Sequence, residues 1–207
     1  KHQSTHRKNI KMSVLLIAGS PSERSRTAAL LEDVGRRLTY RGLQTNRLRV
    51  RDLNPQALLL ANFEHPSVVA AQKAVEEASI VVVATPVYKA AYSGILKVFL
   101  DILPQTALKG KTVLPLATGG SPHHMLALDY ALRPVLQSLG AKNILPGIYA
   151  TDGQVVLTPE GGSQVAEDIA FRLDEAVERL IEEHNRENLS HAGRFREVAF
   201  SDVRCSV

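Results

Sequence analysis

Three short stretches hold the residues whose types and spacing could do chemistry. The first is Gly19-Ser20-Pro21-Ser22-Glu23-Arg24-Ser25-Arg26-Thr27, which leads from an apolar segment into a helical pattern. A helix N-terminus offers unpaired N–H groups and the positive end of a dipole, which suits a phosphate. Ser20, Ser25 and Thr27 add hydroxyl donors, and Arg24 and Arg26 add charge of the kind that pairs with phosphate oxygens. The stretch matches neither GxGxxG nor the GxxxxGK pattern of nucleotide triphosphatases, so neither site is indicated. Taken alone it is equally a Ser/Thr N-cap on an exposed turn.

The second stretch is Thr85-Pro86-Val87-Tyr88-Lys89-Ala90-Ala91-Tyr92-Ser93-Gly94. Pro86 imposes an extended entry and removes a backbone donor. Tyr88 and Tyr92 are expected at a crevice edge, where a Pro-Val-Tyr loop can give a planar ring ligand a flat apolar wall and backbone donors. Two half-buried, helix-capping aromatics would look the same. The third stretch, Thr118-Gly119-Gly120-Ser121, either lets a backbone approach a ligand closely or makes a plain turn.

The elements that must position these loops follow from hydrophobic periodicity. Five segments read as buried strands: 14–18, 44–50, 80–84, 112–117 and 143–150. The first, third and fourth are nearly continuous apolar runs, as expected of strands covered on both faces. Helical patterns fill the intervals at 27–41, 66–78, 94–103, 123–139 and 163–183. Strict alternation at a spacing of roughly 30 residues predicts right-handed βαβ units and a parallel sheet. The fold class is therefore α/β, flavodoxin-like and doubly wound, with five parallel strands in the order 2-1-3-4-5. Its ligand crevice lies past the carboxyl ends of strands one and three, where the first two loops fall. Three ordinary turns meeting there by coincidence is the weaker account.

Composition bounds the rest. Hydrophobic residues at 44% and charged residues at 22% fit one soluble domain and exclude a disordered or membrane-spanning chain. The formal net charge is +4, and Lys1, Arg7, Lys8 and Lys11 carry all of it. Removing that leader removes the charge a nucleic-acid binder would need. Residues 1–11 lack the apolar core of a signal peptide and read as cloning-derived sequence or an over-extended start. Residues 12–184 read as the domain and 185–207 as a tail, mobile or a subunit arm. Cys205 is the one cysteine, which predicts a reducing, cytoplasmic compartment.

Other residues read as structural. His123 and His124 are adjacent and diverge on a helix, so they cannot share a metal. No metal-ligand cluster is expected. Lys89 reads equally as a nucleotide contact or a solvated lysine, and Asp101 and Glu64 as surface charges. Pro134 cannot donate to the Tyr130 carbonyl and clashes with it, which predicts a simple kink or a π-bulge within 123–139.

GSPSERSRT after the first strand, ATPVYKAAYSGILK after the third and LPLATGGS after the fourth resemble the NADPH-dependent FMN reductases. The nearest likeness is to the SsuE type, the reductase component of two-component alkanesulfonate monooxygenases. The similarity runs from about Val14 to about Asp152. It implies an FMN phosphate on Ser20, Ser25, Arg26 and Thr27, and an isoalloxazine along Pro86, Val87 and Tyr88 with Gly119 and Gly120 close by. It also implies a Tyr-containing insertion at Asp129-Tyr130 that widens the helix near a subunit interface, in a homodimer or homotetramer. The expected function is hydride transfer from NADPH or NADH to FMN, which then serves a flavin-dependent monooxygenase in sulfonate sulfur assimilation. The flavin carries that chemistry, so no catalytic acid or base is expected. The alternatives are an NAD(P)H quinone, azo or chromate reductase that keeps its FMN, and a flavodoxin-type electron carrier.

Overall fold

The computed structural model describes residues 12–192, with side chains through residue 186. The leader at 1–11, residues 193–207 of the expected tail and Cys205 lie outside them.

The chain runs β1 (Ser13–Ala18), α1 (Arg26–Tyr40), β2 (Gln44–Arg49), α2 (Pro55–Leu59), α3 (Pro66–Glu77), β3 (Ile80–Tyr88), β4 (Ala91–Tyr92), α4 (Gly94–Asp101) and β5 (Thr112–Gly119). A 3-10 turn (Pro122–His124) and a π-turn (Leu128–Leu132) lead into α5 (Arg133–Ser138). Then come β6 (Asn143–Ile144), β7 (Ile148–Thr151), β8 (Val155–Leu157), β9 (Ser163–Val165) and α6 (Glu167–Ala192).

Side chains on a strand alternate between faces, and here each face meets its own core. Leu15, Ile17, Val81, Val83 and Val113 point toward α2 to α5, where Leu58, Val75, Phe99 and Leu132 meet them. Val14, Leu16, Ile80, Val82, Leu114 and Leu116 point the other way, toward Leu30, Val34 and Leu38 of α1 and Leu173 and Val177 of α6. Each such side chain, fully buried, contributes about 1.5–3 kcal/mol. The strand order is β2-β1-β3-β5-β6, all parallel, with β7 continuing beside β5. With β6 and β7 counted as one position, this is the doubly wound flavodoxin-like order expected from the sequence. Among the described helices, none is long and apolar enough to cross a membrane.

The fifth strand departs from the expected continuous 143–150. Val113 pairs with Ile144 and Leu116 with Ile148, so the ladder lapses opposite Leu114 and Pro115. Pro115 and Pro146 have no N–H to donate. Gly147 brings the chain tight against its neighbours: a Cβ there would stand 2.8 Å from Leu128 Cδ1 and 3.3 Å from the Pro115 carbonyl.

Three helical expectations also change. Residues 163–165 form β9, antiparallel to β8, so the last helix begins at Glu167 and runs on to Ala192. Val165 packs on the core from a strand, and its helical spacing from Ile169 was coincidental. The expected 123–139 helix divides into the 3-10 turn, the π-turn and α5, and of the kink and π-bulge alternatives it is the π form that occurs. Arg133 N–H donates to Leu128 O, five residues back, and Pro134 falls in the first turn of α5, where no amide is required. The short helix α2 went unforeseen, although Asn54 caps it by accepting from Ala57 N–H at 2.8 Å and Pro55 opens it.

Helix α1 sits close on the sheet because Gly35 faces Leu16: a Cβ at residue 35 would stand 2.7 Å from Leu16 Cδ1. That seat fixes where the α1 N-terminus projects. Gly35→Val is expected to lower stability to urea by about 1–3 kcal/mol through overpacking.

Candidate functional site

The three loops close on one cleft of about 230 Å3. Its lining includes Ser20, Ser25, Arg26 and Thr27 from the first loop, Pro86, Val87 and Tyr88 from the second, and Gly119 and Gly120 from the third. Ser22, Arg24, Thr118, Asp152 and Leu157 complete it.

A buried polar frame holds the loops in register. Gly19 N–H donates to Ala84 O at 2.8 Å, joining the end of β1 to the middle of β3. A Cβ on Gly19 would stand 2.9 Å from Leu96 Cβ and 3.0 Å from that same carbonyl, so no other residue fits without displacement. Ser93 caps α4, accepting from Leu96 N–H at 3.3 Å, while its hydroxyl donates to Gly19 O. Thr85 Oγ1 accepts from Ser93 N–H at 2.9 Å and donates to Pro86 O at 2.9 Å. Both side chains are buried. Sequence reasoning overlooked Thr85 and Ser93, whose one local signal was a Ser ahead of a helix.

The first loop is a ring of donors. Ser25 Oγ accepts from Ala28 N–H at 3.1 Å and starts α1. Helix geometry supplies no acceptor for the N–H groups of Arg26 and Thr27. Ser20 Oγ accepts from Ser22 N–H at 3.2 Å and keeps its own proton to donate. The hydroxyls of Thr27 and Thr118 lie 2.5 Å apart, so one donates to the other and the pair retains one proton for a third partner. The two arginines differ. Arg24 Nη2 donates to Thr158 O at 2.7 Å and ties the loop to the β8–β9 hairpin. Arg26 Nη1 stands 3.7 Å from Asp152 Oδ2, a loose and exposed pair.

The second loop turns back on itself, Tyr88 pairing with Ala91 and Val87 with Tyr92. Lys89 and Ala90 between them have φ of 48° and 63°. A tight hairpin of this hand demands left-handed residues, and each non-glycine there costs about 1–2 kcal/mol. The turn leaves Tyr88 49% exposed, between the cleft and an apolar hollow of about 460 Å3 lined by Pro21, Leu58, Leu59, Ile95 and Val98. Tyr92, expected at the crevice, is not in the cleft lining and packs on the core instead. Burial holds its phenol above the ordinary range.

The third loop separates its two glycines. A Cβ on Gly119 would stand 2.5 Å from the hydroxyl of Tyr149, so this position accommodates the protein's own side chain. Tyr149 Oη donates to Ser121 O at 2.6 Å, and burial, aided by the charge of Asp152, raises its pKa. At Gly120 the nearest atom to a Cβ would be Asp152 Oδ2 at 3.6 Å, so this backbone has room beside it. Tyr149 and Asp152 went unforeseen because they come from the end of the fifth strand, far from any loop motif. His123 and His124 lie outside the cleft lining. Tyr130 is 79% exposed on the π-turn, and Pro134 follows it on α5. Among the described residues, no group of three or more His, Cys, Asp or Glu could hold a metal ion.

A doubly wound sheet with a cleft of donors and an aromatic side chain at its switch point defines a flavodoxin-like domain. The family model "NADPH-dependent FMN reductase" matches residues 12–160. The "FMN reductase (NADPH)" of Escherichia coli K12 is 42% identical over 86% of this chain and 93% of its own. Its namesake in Pseudomonas putida is 47% identical over 81% and 85%. A crystal structure titled as the apo form of an NADH:FMN oxidoreductase superposes with a TM-score of 0.74 and 43% identity, covering 82% of this chain and 88% of that one. The chain belongs to the NADPH-dependent FMN reductase family and is an oxidoreductase.

Ser93→Ala removes the cap of α4 and the donor to Gly19 O together. Unfolding in urea is expected to show a loss of about 1–3 kcal/mol. Tyr149 yields a pH signature. Its folded pKa lies above the ordinary 10.0, so its contribution to stability is complete below pH 10 and is lost as pH rises through the folded value. Tyr149→Phe is expected to flatten that alkaline decline in thermal melts.

Proposed function

We propose that this chain reduces FMN with NADPH or NADH in the cleft just described, in the cytoplasm. The reduced flavin then passes to a flavin-dependent monooxygenase, of the kind that releases sulfur from sulfonates. The observation that carries the reading is the convergence, in a member of this family, of all nine expected binding residues on one cleft.

The donor set fits the phosphate end of FMN. The free N–H groups of Arg26 and Thr27, the hydroxyls of Ser20 and Ser25 and the guanidinium of Arg26 would hold it. The backbone of Pro86 and Val87, the face of Tyr88 and the open side of Gly120 would receive the ring. Bound FMN supplies the hydride-accepting chemistry itself. What remains for the protein is to hold the phosphate, fix the plane of the ring against Tyr88 and leave the other face to the nicotinamide.

Self-association is part of the proposal, as a homodimer or homotetramer. Met125 and Leu126, each 53% exposed, and Tyr130 at 79% cluster in sequence around the π-turn, and such apolar exposure suits a subunit contact.

Steady-state oxidation of NADPH and of NADH with FMN, FAD and riboflavin tests the activity. Saturable turnover of free FMN is expected, and its absence would falsify the reading. Arg26→Ala is expected to raise the KM for FMN about three- to tenfold, leaving riboflavin, which has no phosphate, within twofold. Light scattering tests the assembly: Tyr130→Asp is expected to lower the particle mass, and a wild-type monomer would sink this part.

A further inference from the structure

The cleft assigned to a phosphate contains a carboxylate that hydride transfer does not require. Asp152 follows β7, held there by its N–H donating to Gly119 O at 3.1 Å. Its Oδ2 lies 3.7 Å from Arg26 Nη1 and 3.6 Å from where a Cβ on Gly120 would stand, so it faces the cleft from the third loop toward the first. A phosphate taking Arg26 would meet this anion at close range. Arg24 cannot substitute for Arg26 without giving up Thr158 O, to which it donates at 2.7 Å.

We infer that Asp152 is a built-in competitor at the phosphate position, which weakens the hold on phosphorylated flavins and so favours their release. The inference rests on the reading of this cleft as the FMN site. Two contributions act in the same direction. Asp152 already engages the guanidinium that a phosphate would use, and its charge repels the phosphate that arrives. Charges about 4 Å apart at a solvent-exposed site alter binding by roughly threefold to tenfold, less in high salt. Such a residue discriminates by chemistry. It acts on a flavin that carries a phosphate and is indifferent to one that does not. For an enzyme whose flavin is a substrate, tight retention would slow every cycle, and an anion in this position limits it without altering the ring pocket.

The test is equilibrium titration by flavin fluorescence quenching, with FMN and with riboflavin, on the wild type and on Asp152→Asn. The variant keeps the side-chain size and the backbone bond to Gly119 O. The Kd for FMN is expected to fall about three- to tenfold, shrinking as salt is raised, while that for riboflavin moves less than twofold. An unchanged or weaker FMN Kd overturns the inference. Equal tightening of both flavins also overturns it, because the effect would then lie in the ring or the ribityl chain. Asp152→Ser, read in the same way, serves if the Asn protein does not fold. Arg26→Ala examines the underlying reading in the same titration: an FMN Kd unchanged by that substitution would remove the phosphate from this cleft, and both ideas with it.

Discussion

The hydrogen bond from Gly19 N–H to Ala84 O is the constraint on which the rest of the site depends. It closes the β1–β3 ladder just past its last pair, Ala18 with Ala84, where β1 becomes a loop while β3 runs on beside β5. The bond is possible because Gly19 has no Cβ to strike Leu96, and Ser93 anchors the next peptide along through Gly19 O. One residue thus ties the end of β1 to the middle of β3 and to the start of α4. The first loop departs from one side of it and the aromatic hairpin from the other. Because the partners are buried, relaxing any of them would leave polar groups without water or partner. The geometry of the cleft is therefore inherited from the core.

Function then comes from how the loops differ. The first is built almost entirely of donors, and its hydroxyls accept local backbone bonds with their oxygens while keeping their protons. The second spends conformational energy at Lys89 and Ala90 to present Tyr88, which stands between a polar cleft and an apolar hollow. The third divides its labour: Gly119 makes room for Tyr149 and Gly120 for whatever enters. Charge is sparse and opposed, since Arg24 is engaged with the hairpin and Arg26 faces Asp152. Neutral donors therefore outnumber charges in the cleft.

Much of this was legible in the sequence. Apolar runs such as VLLIA and IVVVA announce doubly covered strands, and their spacing yields the order of the sheet. The switch-point rule then places two of the loops at the crevice. What escaped was whatever depends on partners distant in the chain. Thr85 and Ser93 are ordinary residues until Gly19 is brought beside them. Tyr92 shares a motif with Tyr88 but sits on the opposite side of a pleat, and only the hairpin's turn decides which of them sees the cleft. Residues 163–165 read as helix because one valine fell at helical spacing, while their pairing with β8 lay outside any local window.

The break in the fifth strand has a consequence for motion. Because Pro115 interrupts the ladder opposite residues 145–147, β6 and β7 are separate tenants of one sheet edge. Two paired residues secure β6, while β7 has four and is buried along most of its length. Amide protons on the two halves are therefore expected to exchange through separate openings, with β6 at the shallow end of the stability scale and β7 nearer the global limit. Asp152 extends from the slower half. The edge of the sheet can breathe at its base while the carboxylate at its tip keeps its place.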